Sequence, residues 1–118
     1  MKFSFKEEKL YYREKLIHTF IAPISDILDF PKCVVVLLNR DNYKKNNENV
    51  FCVDTNGVLK WQVPKYDYID KRSPFVSINK DDDNAKLYNW DSSYVIIEPA
   101  TGKVIVDAFQ SRKNRRPW

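Results

Sequence analysis

The sequence holds very little of the material from which enzyme active sites are built. Its 118 residues include two glycines, two cysteines and one histidine. Two glycines cannot form a glycine-rich phosphate loop or a Gly-x-Ser-x-Gly nucleophile turn. The single histidine, His18, lies in an apolar stretch, where a packed or edge residue is the expectation. The sequence therefore predicts a protein that is not an enzyme and that uses no cofactor or metal.

The two cysteines, Cys33 and Cys52, lie inside apolar runs and do not form a CxxC motif. Buried, reduced thiols are expected at such positions. The lack of a disulfide framework favours a reducing, cytoplasmic compartment. The N-terminal segment has no apolar core of the kind found in signal peptides. No window approaches ~18 consecutive apolar residues, so no membrane-spanning helix is predicted.

Short strand patterns separated by turn signals occupy most of the sequence. The run CVVVLL, Cys33–Leu38, is continuously apolar and rich in β-branched residues, as in a strand covered on both faces. Asn56-Gly57 separates two apolar runs and is the strongest short signal for a hairpin. Residues 24–30 fit either a short strand or one helical turn. The spacing predicts an all-β fold with about 8 strands and little helix.

Two hairpin patterns recur at an offset of 44 or 45 residues. NVFCVDTNGVLKWQV and SYVIIEPATGKVIVDAF share an apolar run, an acid, a turn ending in Gly and a second apolar run. Asp54 corresponds to Glu98, and Gly57 corresponds to Gly102. This offset is the length of one four-stranded propeller blade. We expect a small antiparallel two-sheet sandwich or a half-propeller of two blade-like sheets; a chance match of two ordinary hairpins is the alternative.

The segments VDTNGVLKWQV, SPFVSI, LYNWDSSYVII and EPATGKVI resemble a loose set of small bacterial all-β proteins. The shared motifs are propeller-blade-like, D-x-N-G…W-Q followed by N-W-D…P-x-T-G-K, and Glu98 stands where the pattern usually has Asp. The resemblance covers about residues 33–109. Some proteins of this kind are toxin immunity proteins. The resemblance therefore implies a cytoplasmic, non-catalytic protein that binds another protein.

The net charge of +4 comes from the C-terminal tail alone. Residues 111–118 contain no acid and four basic side chains: Arg112, Lys113, Arg115 and Arg116. The chain has 20 basic and 16 acidic residues, so residues 1–110 carry 16 of each and are neutral overall. We expect one all-β domain over 1–110 and a basic tail over 111–118. The tail is either a solvated terminus or an arm that touches phosphate or an acidic partner.

The candidate partner-binding residues are acids and tyrosines in predicted loops and at one strand. The acidic run at 81–83 lacks the glycine and terminal glutamate of an EF-hand, so it reads as a solvated turn or a contact for a basic partner. Tyrosine is favoured at interface hot spots, whereas Trp61 and Trp90 are expected to fill the core. The predicted contacts are Tyr66, Asp67, Tyr68, Asp70, Asp81, Asp82, Asp83 and Tyr88.

These features predict a non-catalytic inhibitory protein, most concretely an immunity protein that blocks the active site of a cognate bacterial toxin domain. A nuclease toxin would have a basic cleft that holds phosphates, and acids on the inhibitor would mimic them and speed capture. The neutral body counts against this reading, because nuclease inhibitors are often acidic. The alternative is a nucleic-acid-binding module that uses the basic tail and surface aromatics as stacking platforms.

Overall fold

The computed structural model describes residues 2–41, 47–64, 74–90 and 92–107. Within these ranges the chain forms eleven strands in three antiparallel sheets. The first sheet contains β1 (Phe3–Lys6), β2 (Lys9–Tyr12) and β3 (Lys15–Thr19). The second sheet contains β4 (Ile24–Asp29), β5 (Cys33–Leu38), β6 (Val50–Asp54) and β7 (Leu59–Gln62). The third sheet contains β8 (Phe75–Asp81), β9 (Asn84–Asn89), β10 (Tyr94–Ile97) and β11 (Val104–Asp107).

Each sheet is a meander in which every strand pairs with its neighbours in the chain. The first strands of successive sheets lie beside each other, β1 near β4 and β4 near β8. The three sheets therefore pack in the order first, second, third, and their first strands lie along one common side. The described ranges contain no helix that is long and apolar enough to cross a membrane.

The second sheet is covered on both faces, and β5 shows why. Its odd-numbered residues, such as Val35, belong to a core shared with the third sheet. Its even-numbered residues, such as Val36, belong to a core shared with the first sheet. All six side chains of β5 are buried, and each such burial stabilises the fold by about 1.5–3 kcal/mol. The expectation from CVVVLL of a strand covered on both faces is confirmed.

The expected counts of two sheets and about 8 strands are wrong. The described ranges form eleven strands in three sheets, and the additional sheet is the first one, formed by residues 3–19. The physical reason lies in β5: a strand that is apolar on both faces needs a cover on each side. The first sheet provides the second cover with Phe3, Leu10 and Phe20, all of them buried.

The expectation of a core position holds for Trp61 and fails for Trp90. Trp61 is partly buried and packs against the core between the second and third sheets. Trp90 is 61% exposed, with the Arg40 guanidinium 5.2 Å from its ring centroid. The preceding residue, Asn89, ends β9 with its side chain buried. Because side chains alternate along a strand, the next position points outward.

Candidate functional site

A cavity of about 570 Å³ opens at one end of the second and third sheets. We call this end the turn end, because the turns at residues 30–32, 82–84 and 98–101 meet there. The apolar lining comes from Phe30, Pro99 and Ile105. The charged lining comes from Lys32, Lys60, Asp83 and Glu98. The volume lies within the range of small-ligand and side-chain pockets.

The turn from Glu98 to Gly102 forms one wall of the cavity and is held rigidly. The Glu98 carbonyl accepts hydrogen bonds from the backbone N–H groups of Thr101 (3.3 Å) and Gly102 (2.8 Å). The Thr101 hydroxyl donates to Glu98 Oε1 at 2.8 Å. Gly102 has φ of +80°, and a Cβ there would lie 2.8 Å from Trp61 Cγ. Only glycine fits this position without strain or displacement of the tryptophan.

The third sheet is joined to the second through the Pro99 carbonyl. Trp61 Nε1 donates a hydrogen bond to it at 2.8 Å, and Cys52 Sγ lies 3.6 Å away. A similar contact joins the second sheet to the first. There His18 Nδ1 lies 3.2 Å from the Gly57 carbonyl oxygen. In both cases a ring on the last strand of one sheet meets the glycine-containing turn of the next.

The same two turns place their glycines against the preceding sheet. Gly57 has φ of +85°, and a Cβ there would lie 2.0 Å from the Ile17 carbonyl oxygen. Gly102 makes the corresponding approach to Trp61. The two aligned glycines thus occupy corresponding turns, and each lies close to the last strand of the preceding sheet.

The two free thiols lie behind the cavity, and Cys33 lines it. A hydrogen bond from the Cys52 thiol, with help from the Lys60 charge, lowers the pKa of Cys33 to about 7. The same hydrogen bond, followed by burial, raises the pKa of Cys52. While Cys33 is neutral, the Cys52 S–H donates its hydrogen bond to the Pro99 carbonyl. Once Cys33 ionises, we expect the Cys52 S–H to donate to the Cys33 sulfur instead. His18 lies at the junction with the first sheet and takes no part in this pair.

The predicted acidic contacts stand at the mouth of the cavity. Asp81, Asp82 and Asp83 are all exposed, and Asp83 lines the cavity. Asp82 has φ of 55°, a left-handed conformation that Asp tolerates better than most residues. Over the described residues, no cluster of three or more His, Cys, Asp or Glu side chains could hold a metal ion. The exposed carboxylates and the adjacent cavity could together contact a binding partner.

Tyr88 lies apart from these acids, on the side of the third sheet that faces away from the second. We call this side the outer face; it carries Lys86, Tyr88, Tyr94, Ile96 and Val106. The Tyr88 and Tyr94 ring centroids are 6.1 Å apart. Lys86 Nζ lies 4.4 Å from the Tyr94 centroid and 5.1 Å from that of Tyr88. A hydrogen bond with Tyr88 is the main cause that raises the pKa of Lys86.

Several predicted contacts lie outside the described residues. These are Tyr66, Asp67, Tyr68 and Asp70 of the loop, and Arg112, Lys113, Arg115 and Arg116 of the tail. Pro74, the first described residue after the loop, accepts a hydrogen bond from the Trp90 backbone N–H at 2.9 Å. That bond lies at the end of the third sheet opposite Asp83.

Sequence reasoning did not identify the cavity. Its lining comes from four separate stretches of chain, around residues 30–33, 60, 83–84 and 98–105. No local pattern links them, since the sheets must pack before they meet. The outer face was also missed, although the repeat contained a signal for it: Tyr94, Ile96 and Val106 align with Val50, Cys52 and Trp61, which the third sheet covers.

A family model described as a domain of unknown function, DUF7957, matches residues 1–109. No curated protein and no solved structure matches the chain.

Proposed function

Given that this chain belongs to the DUF7957 family, we propose that it is a non-catalytic protein-binding protein that captures its partner at the turn end. The observation that carries the proposal is the position of three exposed acids beside a recess of about 570 Å³. Interface hot spots commonly pair a recess with an anchor side chain, inside a rim that excludes water. Here the acids form part of the rim.

The chemistry of the turn end specifies the partner in outline. Exposed carboxylates at 81–83 favour a basic surface, because opposite charges steer association and fix its register. The lining of the cavity combines apolar groups with the carboxylates of Asp83 and Glu98, beside the ammonium groups of Lys32 and Lys60. An arginine side chain suits such a place, since its stem packs on apolar groups and its guanidinium pairs with carboxylates.

A bacterial toxin domain is the specific partner we propose, with the chain acting as its immunity protein. A nuclease toxin must present a basic cleft to hold phosphates. An acidic turn that enters this cleft would block access of the substrate and leave the catalytic residues of the toxin unchanged. The support is the charge and the recess of the turn end, together with the resemblance of the chain to a set of small bacterial all-β proteins, some of which are immunity proteins.

Co-expression with each protein domain encoded by the reading frames beside the gene tests the proposal. We expect the wild-type chain to restore growth and to form a stable complex with one of them. The triple variant D81N/D82N/D83N should lose both effects. The variant E7Q/D41N, which removes exposed acids at the opposite end of the molecule, should keep them. Failure of the wild-type chain to protect against any of these domains would refute the proposed function.

A further inference from the structure

The outer face of the third sheet corresponds, in the sequence repeat, to the face of the second sheet that the third sheet covers. In the second sheet, Val50, Cys52 and Trp61 face the third sheet and are covered by it. Their aligned counterparts are Tyr94, Ile96 and Val106. Ile96 and Val106 are register partners across β10 and β11 and so share one side of the sheet. Val50 and Cys52 are fully buried, whereas their counterparts Tyr94 and Ile96 are partly exposed. Trp61 is partly buried, and its counterpart Val106 is 38% exposed.

The first sheet, at the other end of the row of three sheets, has a turn and an uncovered side that could meet this outer face. Its turn between β2 and β3 occupies the position that residues 54–57 and 98–102 occupy in the next two sheets. Arg13 and Glu14 form this turn, with φ of 50° and 71°, and both are exposed. On the side of the first sheet that faces away from the second, Tyr11 pairs with Leu16, which is 47% exposed.

From these two open ends we infer that a second copy of this chain packs its first sheet on the outer face of the third sheet. Its Arg13–Glu14 turn would then meet Val106, as residues 54–57 meet Ile17 and residues 98–102 meet Trp61. The contact repeats the one already made twice within the chain. Because Val106 has no ring N–H, this junction is held by apolar packing.

If the first sheet of each copy packs on the third sheet of the other, two copies form a closed dimer. A two-fold axis gives two identical junctions, each between the third sheet of one copy and the first sheet of the other, which satisfies closed symmetry. The result is a ring of six sheets. Propellers typically have about four to eight blades, and six is the only multiple of three in that range. The principal-axis extents, 52 × 29 × 18 Å, have the proportions of half a disc.

The ring leaves the turn end of both copies at its flat surface. The acids at 81–83 and the cavity therefore stay open to a partner, and the two surfaces are used independently. This inference does not depend on the proposed immunity function.

Sedimentation equilibrium of the full chain provides the first test. We expect twice the chain mass of 14.1 kDa for the wild type and 14.1 kDa for Val106→Asp. Leu59→Asp is the matched control, because Leu59 is also an exposed apolar strand residue, 46% accessible, and lies away from the junction. It should remain dimeric, and circular dichroism should show that both variants keep the β-sheet spectrum. A monomeric wild type, or a larger open assembly, would refute the inference.

Cysteine cross-linking tests the geometry of the junction. The double variant E14C/V106C should give a covalent dimer under mild oxidation, because residue 14 of one copy meets residue 106 of the other. The single variants E14C and V106C, and the double variant E14C/L59C, should stay uncoupled. A V106C variant that cross-links to itself would indicate a different, face-to-face dimer and would overturn the ring.

Discussion

Trp61 on the last strand of the second sheet donates a hydrogen bond from Nε1 to the Pro99 carbonyl in the last turn of the third. The bond spans 2.8 Å and 38 residues of sequence, and it repeats the approach of His18 to Gly57 one sheet earlier. These contacts fix the distance between successive sheets. They also explain why the only two glycines in the chain lie at turns.

Replacing Trp61 by Phe should destabilise the protein by about 1–2 kcal/mol. An aromatic ring remains, but the Pro99 carbonyl loses the indole N–H donor and keeps only the weak Cys52 thiol donor at 3.6 Å. A partly buried acceptor left so poorly satisfied costs about 1–2 kcal/mol. Urea denaturation monitored by circular dichroism measures the change. Trp90→Phe is the control, because the Trp90 side chain is 61% exposed. This variant should change the free energy of unfolding by less than ~0.5 kcal/mol. Equal effects would contradict the role of the bond.

Gly57→Ala should destabilise the protein more than Gly102→Ala. Both positions have positive φ, which costs an L-residue about 1–2 kcal/mol. The new methyl group at 57 would meet the Ile17 carbonyl oxygen at 2.0 Å, whereas at 102 it would meet the Trp61 side chain at 2.8 Å. A backbone carbonyl cannot turn away as a side chain can. Thermal unfolding of both variants measures which is less stable. A larger loss of stability for Gly102→Ala would show that the backbone at Ile17 moves aside easily.

Asn49→Ala should cost about 3 kcal/mol or more. Asn49 is fully buried, accepts a hydrogen bond from the Phe75 N–H at 2.9 Å and donates to the carbonyls of Phe75 and Leu38. Its loss leaves backbone groups of two sheets unsatisfied, at about 1–3 kcal/mol each. Chemical denaturation measures the loss, with the exposed Asn79→Ala as control. A loss below ~1 kcal/mol would mean that water replaces the amide.

The thiol pair should make stability depend on pH in two opposite steps. From about pH 7 to 9, Cys33 is ionised in the folded state but protonated in the unfolded chain, whose thiols titrate near 9.0. The unfolded state then binds more protons, so the free energy of unfolding rises with pH. Above pH 9 the unfolded chain releases the Cys52 proton that the folded state retains, so stability falls.

Urea denaturation at pH steps from 6 to 10 tests this prediction by difference. Subtracting the profile of Cys33→Ser from that of the wild type cancels the titrations outside the thiol pair and should leave the rise between pH 7 and 9. Cys52→Ser should lack the fall above pH 9. Parallel profiles for the wild type and Cys33→Ser would contradict the lowered pKa of Cys33.

The sequence predicted the features that depend on local pattern. The buried strand Cys33–Leu38, the turn at Asn56-Gly57 and the acidic turn at 81–83 all lie where their residues indicated. Features that depend on sheets meeting were not predictable locally. The cavity is one example, since residues as distant as Phe30 and Ile105 line it. The number of sheets is another, because the short strands of residues 3–19 form a separate sheet through pairing with one another and packing on the second sheet.

Burial of both faces of β5 also has a consequence for the order of folding. Each hairpin closes between residues that are near in the chain, and such local pairing typically proceeds quickly. The outer sheets, however, have one strongly apolar face each, and that face has nothing to cover until β5 and β6 are in place. We therefore expect the second sheet to act as the nucleus on which the other two condense. A destabilising substitution in the second sheet would slow folding, whereas one in the first or third sheet would mainly speed unfolding.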